Sequence, residues 1–341
     1  MKKKHDTVEP LAPLPAIPFP WQSSQWKKSV DAFAGGRMPH AQIFCGNQGL
    51  GKREFAMALS LHLFCSSLAN GQACGECRNC RLIRTEVHPD FMRIKPEKPT
   101  SAIKIDDIRA INEFVNRTSE SGVAKVVLIE DADRMNRNAA NALLKNLEEP
   151  PAGTHFFLVS SREMRLPITI RSRCQLVRFT VPNGATGLQW LQNQNNGGGD
   201  CELPMLLAGG APLEASRLMS DASQSEYAQL FSSLSALCTN TSNPVAEAKA
   251  LMDTDLSRLL GWMSSWVSSL IRVKSLSDGV LVSTGIERLD QHSANLRIDS
   301  LLSFNAAVQV AYKDSLAVSN INRQLILEGL LMSWTRLINQ K

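Results

Sequence analysis

The segment Ala41-Gln42-Ile43-Phe44-Cys45 followed by Gly46-Asn47-Gln48-Gly49-Leu50-Gly51-Lys52-Arg53 constrains the fold more than any other part of this chain. A short apolar run feeds a glycine loop, and Phe55, Ala58, Leu59, Leu63 and Phe64 then recur at helical spacing up to Cys65. This is the strand, loop, helix order of a nucleotide fold. Lys125-Val126-Val127-Leu128-Ile129-Glu130 is continuously apolar and ends in acid, as a central parallel strand covered on both faces would. Phe91 to Ile94, His155 to Ser160 and Gln175 to Phe179 read as further strands, with a helix over Ile105 to Val115. Ala140, Leu143, Leu144 and Leu147 mark another helix, stopped by Pro150-Pro151. The expectation is an α/β domain on a mostly parallel sheet, ending near Phe179. After Pro182 strand signals fade and helical periodicity runs to the C-terminus.

The loop meets the G-x-x-x-x-G-K pattern, in which backbone N–H groups converge on phosphate oxygens and the lysine reaches the terminal phosphates. Gly46, Gly49, Gly51 and Lys52 are therefore candidate nucleotide-binding residues. The next position calls for a hydroxyl that ligates Mg²⁺, and here it is Arg53, whose guanidinium has no lone pair to donate. A retained turn with no ligand competes evenly with weak nucleotide binding. An active ATPase places Asp and then Glu after the central strand, whereas this chain has Glu130 and then Asp131, with Asp133 beyond. The carboxylates are displaced by about one methylene each, and an error of ~1 Å costs roughly 100-fold in rate. Efficient hydrolysis at this chain's own site is not expected.

Cys65, Cys74, Cys77 and Cys80 follow the first helix, the last three at C-x-x-C spacing. Four thiolates supply a closed tetrahedral shell suited to structural Zn²⁺. Cys45, Cys174, Cys201 and Cys238 are isolated and read as small core residues. The first residues are basic but lack a following apolar core, and no run is long enough to span a bilayer. Clustered thiols without an export signal point to the cytoplasm and to metal rather than disulfides. The net charge of +5 permits contact with nucleic acid without arguing for it.

Taken together these motifs resemble the subunits of the bacterial DNA polymerase III clamp loader, of the AAA+ class. The resemblance runs from about Trp21 through Gly36-Arg37-Met38-Pro39-His40-Ala41, the cysteine module and His88-Pro89-Asp90. It continues through Asn141-Ala142-Leu143-Leu144-Lys145, Leu147-Glu148-Glu149-Pro150-Pro151, Ser172-Arg173-Cys174 and Ile321-Asn322-Arg323. It implies a flexible extension over 1–18, a RecA-like AAA+ domain over 19–180 carrying the zinc module at 65–80, a helical lid over 181–221 and a helical collar over 222–341. It implies a pentameric ring with ATPase (gamma/tau) and delta subunits that acts on the sliding clamp and primed DNA. Within it, Arg173 would serve in trans at a neighbour's ATP site, in a subunit that is a stator rather than a polymerase or an efficient ATPase.

Two alternatives stand beside this reading. One is an active gamma/tau-like ATPase subunit, disfavoured by Arg53, by Glu130-Asp131 and by Pro212 near the place of the lid's phosphate-sensing arginine. Ser160 or Ser161 would be its polar sensor, with Ser161 the candidate carried forward. The other is a zinc-dependent nucleic-acid-binding protein with a vestigial nucleotide fold, for which Arg78, Arg81 and Arg84 give thin support.

Overall fold

The computed structural model describes residues 18–98, 101–195, 198–276, 283–317 and 321–339. The expected extension over 1–18 lies outside the described residues apart from Pro18, as do Asn196 and Gly197 of the loop before Asp200. The chain divides into two compact units, the first ending at Val181 and the second beginning at Pro182.

The first unit holds five strands, β1 (Ala41–Cys45), β2 (Phe91–Ile94), β3 (Lys125–Ile129), β4 (Thr154–Ser160) and β5 (Gln175–Arg178), in the order β2-β3-β4-β1-β5. All pairings are parallel. The helices between them are α1 (Ser23–Ala34), α2 (Lys52–Phe64), α3 (Arg78–Arg84), α4 (Ile105–Val115), α5 (Arg137–Glu148) and α6 (Ile168–Arg171). β1 and β3 are buried at every position, as their unbroken apolar runs predict. Phe44, Phe55, Phe157 and Phe179 form one edge-to-face group, with successive ring centroids 5.0–6.1 Å apart. Ile43, Val127, Ile129, Phe156 and Leu158 join α4 and α5 in a second cluster.

This order places β1 between two strands that come late in the chain, so the order in which the chain builds the sheet switches beside it. Ligands in open parallel sheets bind at the carboxyl ends of the strands at such a switch point. In register, Cys45 pairs with Ser160 and Ile129 with Leu158. The glycine loop, Glu130 and Ser161 therefore emerge along one edge.

His88-Pro89-Asp90 ends before β2 and has a structural task. The fully buried Asp90 carboxylate accepts from the Ser121 N–H at 2.6 Å, the Ser119 hydroxyl at 3.0 Å and the Glu120 N–H at 3.1 Å. Lys125 Nζ lies 3.7 Å away. Burial pushes this carboxyl up, but the donors outweigh it and hold it below its ordinary value. Its contribution is thus present above the unfolded value near 3.9 and is lost as pH falls toward the folded one. Asp90→Ala removes the acceptor these donors share and the carboxylate beside buried Lys125, whose Nζ retains the Phe114 carbonyl. We expect a loss of about 2–4 kcal/mol in urea unfolding.

Among its described residues the second unit is all helical: α7 (Gly184–Gln194), α8 (Glu202–Leu207), α9 (Pro212–Leu218), α10 (Asp221–Cys238), α11 (Pro244–Ala250), α12 (Leu256–Leu276), α13 (Glu287–Ala294), α14 (Ile298–Ala317) and α15 (Arg323–Asn339). Leu203, Leu207 and Leu218 share one apolar core with Phe231, Trp266 and Trp334. Leu191, Cys201 and Ala215 form a small cluster of their own. Arg323 of the Ile321-Asn322-Arg323 run donates to the carbonyls of Met252 and Thr254, tying the start of α15 to the α11–α12 turn. Among the described residues no helix is long and apolar enough to cross a membrane.

Candidate functional site

The cysteine module begins where α2 ends. Cys65 caps that helix in extended conformation, and Cys77 caps α3 by accepting the Cys80 N–H. The sulfurs of Cys65, Cys74, Cys77 and Cys80 lie within 4.8 Å of one another, with Cys65 and Cys74 at 3.6 Å. Four sulfurs about 2.3 Å from a tetrahedral Zn²⁺ are about 3.8 Å apart, so the cage has the right size. Backbone N–H groups of Cys74, Cys77 and Cys80 point at the sulfurs of Cys65, Cys74 and Cys77 at 3.3–3.5 Å. Such donors favour thiolate over thiol. Burial raises the Cys77 thiol, but hydrogen bonds from Cys80 and Ser66 outweigh it and bring it to about 6. Cys80 is pushed up, by burial first and then by Cys77. All four thiols are free, with no disulfide. The donor set fits a metal ion.

The glycine loop is built as a phosphate loop. Gly46, Gly49 and Gly51 have φ of 145°, 77° and 79°. A side chain at Gly46 would meet the Phe179 carbonyl oxygen at 2.2 Å, and one at Gly51 would meet the Phe19 ring at 2.6 Å. Gln22, fully buried, donates to the carbonyls of Leu50 and Gly51 at 2.9 Å, and the Trp21 indole donates to Leu50 at 3.0 Å. Lys52 is buried, and its Nζ donates at 2.5 Å to the Asn47 carbonyl of the loop itself. Burial pulls its pKa down to about 8, against the opposing pull of Asp133, Glu54 and Asp131.

Glu130, the first acid after β3, is engaged in an internal ion network. Glu130 Oε1 receives Arg93 Nη2 at 2.7 Å and Arg93 Nε at 2.8 Å, and Arg53 Nε lies 3.4 Å from it. Arg93 also reaches Glu86 at 2.5 Å. Burial raises the Glu130 carboxyl, and the two guanidinium groups oppose that. Arg53 thus does more than remove a hydroxyl. It delivers a cation to the first acid after β3. Asp131 stands at φ 47°, with Arg134 at 3.8 Å. Asp133 Oδ1 accepts the Ser160 hydroxyl at 3.0 Å and the Ser161 N–H at 3.2 Å, so the strand-end hydroxyl that the structure engages is that of Ser160. Pro212 is buried at the first position of α9.

Sequence reasoning missed Arg93 and the Phe19-Trp21-Gln22 clasp. A charged residue inside the four-residue strand Phe91–Ile94 was the available signal for Arg93. The clasp had none, because it depends on α1 packing beside a loop far along the chain. Hence the expectation that follows: Mg²⁺ does not tighten ATP binding by the isolated chain beyond about twofold, and Arg53→Thr alone does not restore it, since Arg93 still holds Glu130. Equilibrium dialysis with and without Mg²⁺ checks this.

Arg173 lies between α6 and β5, half-buried at the sheet edge. Its Nη2 meets Glu148 Oε1 at 2.7 Å, and its Nη1 donates to the Thr169 carbonyl at 3.0 Å and the Ser172 hydroxyl at 3.2 Å. The same edge carries the two most exposed large apolar residues described, Met164 at 80% and Ile168 at 72%.

Fold and sites define an α/β protein with a parallel five-stranded sheet, a glycine loop at its switch point, a four-cysteine module and, among the described residues, an all-helical second half. Residues 21–183 match the family described as DNA polymerase III, delta subunit, and residues 222–336 that described as DNA polymerase III, delta subunit, C terminal. DNA polymerase III subunit delta' of Pseudomonas aeruginosa is 33% identical over 330 residues, covering 94% of this chain and 98% of that protein. Its counterpart in Escherichia coli is 30% identical over 318 residues, covering 92% and 94%. DNA polymerase III subunit tau of Salmonella typhimurium is 38% identical over 139 residues, only 41% of this chain and 21% of that protein. The chain belongs to the DNA polymerase III subunit delta' family.

Proposed function

We propose that this chain is the stator of a cytoplasmic clamp loader and lends Arg173 to the ATP site of an adjacent gamma/tau-type subunit. With those subunits and a delta-type subunit it forms the ring that places a sliding clamp on primed DNA during replication. The observation that carries this reading is a division of labour between arginines. Arg53 and Arg93 are spent on Glu130, which closes the chain's own Mg²⁺ position. Arg173 stays half-exposed, and Met164 and Ile168, earlier in the same segment between β4 and β5, are exposed as well. A guanidinium so exposed stabilises charge on a phosphoryl group transferred in a neighbouring site.

The helical lid (181–221) and collar (222–341) fit this role, the collar joining the subunits. The four-cysteine module holds Zn²⁺ as a structural ion: Cys65, Cys74, Cys77 and Cys80 would bind it and so tie residues 65–80 to the end of α2. The tau relative of Salmonella typhimurium matches over 41% of this chain, whereas the delta' relatives of Pseudomonas aeruginosa and Escherichia coli match over 94% and 92% of it. The chain alone is neither a polymerase nor an efficient ATPase. The test is ATP turnover by the reconstituted loader with Arg173→Ala in this chain, set against assembly of the same mixture. Intact assembly with unchanged turnover would end the proposal.

A further inference from the structure

We infer that Glu148 is the positioning residue for Arg173, orienting the guanidinium before a partner docks. The inference rests on the proposed trans role of Arg173. It gives a task to the Leu147-Glu148-Glu149-Pro150-Pro151 run, which the nucleotide fold alone does not explain.

Glu148 is the last residue of α5, and its carboxylate takes Arg173 Nη2, between α6 and β5, at 2.7 Å. The Thr169 carbonyl and Ser172 hydroxyl take Nη1. Both terminal nitrogens are thus held, from two separate elements. The holder is itself fixed. Leu147 is buried, and its carbonyl accepts from His40 Nε2 at 3.1 Å, just before β1. Pro150 and Pro151 prevent α5 from continuing. Gly36-Arg37-Met38-Pro39-His40, Leu147-Glu148-Glu149-Pro150-Pro151 and Ser172-Arg173-Cys174 therefore meet in one chain of contacts from His40 to Arg173.

Stability does not explain this pair. Its side chains are 36% and 48% exposed, and ion pairs so open to water contribute little to folding. Orientation does explain it. An arginine on an open edge loses considerable rotamer freedom when it must meet one phosphoryl group. Clamping it beforehand removes that cost from the reaction, and small misplacements of a reacting group cost orders of magnitude in rate. The neighbouring arginines are turned to other tasks: Arg178 pairs with Glu163, and Arg171 reaches the Met164 sulfur. Glu148 accordingly distinguishes Arg173 within a row of arginines.

The experiment is a double-mutant cycle in the reconstituted loader, with ATP turnover measured in the presence of clamp and primed DNA. Glu148→Ala is expected to lower kcat at the served site about tenfold, with KM for ATP unchanged and assembly intact. Glu148→Gln keeps an acceptor oxygen and is expected to retain most of the rate, which also guards against a fold defect in the alanine variant. In the Arg173→Ala background, Glu148→Ala is expected to do nothing further. A purely structural Glu148 would instead give additive losses. Additivity, or turnover unchanged or raised by Glu148→Ala while Arg173→Ala lowers it, overturns the inference and leaves the proposed function standing. Turnover unchanged by Arg173→Ala itself overturns both.

Discussion

Arg173→Ala in this chain is expected to remove the catalysis of the one ATP site it serves, by roughly 10³-fold, the lower range for arginine fingers. A loader with several ATP sites would lose that site's share if they fire independently, and more if they act in concert. The ring should still assemble. The only ion pair Arg173 makes among the described residues is half-exposed, with Glu148, and such pairs contribute about 0–1 kcal/mol. Nucleotide affinity should change far less than kcat, because the guanidinium meets its greatest charge demand as the phosphoryl group transfers. Arg173→Lys should rescue poorly, since a point charge on a flexible stem does not reproduce a planar fork held at Nη1 and Nη2. Single-turnover and steady-state measurements on the same assembly separate the chemical step from binding.

Removing the metal is expected to have the second large effect. Protein purified without chelator should carry one equivalent of Zn²⁺ per chain, bound by Cys65, Cys74, Cys77 and Cys80. Cys80 is fully buried, and Ile83 on the same short helix packs in the core, so the cage anchors α3 as well as the loop before it. Cys80→Ser or a strong chelator should open residues 66–79 to protease while leaving the parallel sheet folded. A local loss of about 2–4 kcal/mol would lower the thermal midpoint by roughly 5–15 °C. Because the ligands must be thiolates, metal uptake releases protons and weakens as pH falls. Metal content well below one equivalent, or a protease pattern unchanged by chelation, would contradict the assignment.

The sheet was legible because its central strands β1, β3 and β4 are buried on both faces. Continuous apolar runs such as Lys125–Ile129 have few other solutions in a soluble domain, and observed strand ends differ from those expected by one residue at most. The helix after the glycine loop, α2, begins at Lys52 rather than Arg53, for Gly51 at φ 79° is its cap. The cysteine cage was legible from spacing, since C-x-x-C turns bring sulfurs together locally. The expected displacement of Glu130 by a methylene did not reveal what surrounds its carboxylate. Arg93, on the neighbouring strand, and Arg53, across the loop, meet at its carboxylate.

The sequence by itself determined which chemistry is available: a phosphate loop without its hydroxyl, four thiols at metal spacing, and an arginine before the last strand. Each is a local property, set by residue type and short-range geometry. Only the tertiary structure decided how the arginines are allocated. Three of them, far apart in the chain, are assigned by the parallel register and by the end of α5, so that two neutralise Glu130 and one stands with Glu148 at an open edge. Ion pairing acts over a few ångströms of space whatever the separation along the chain, and only the fold supplies that proximity.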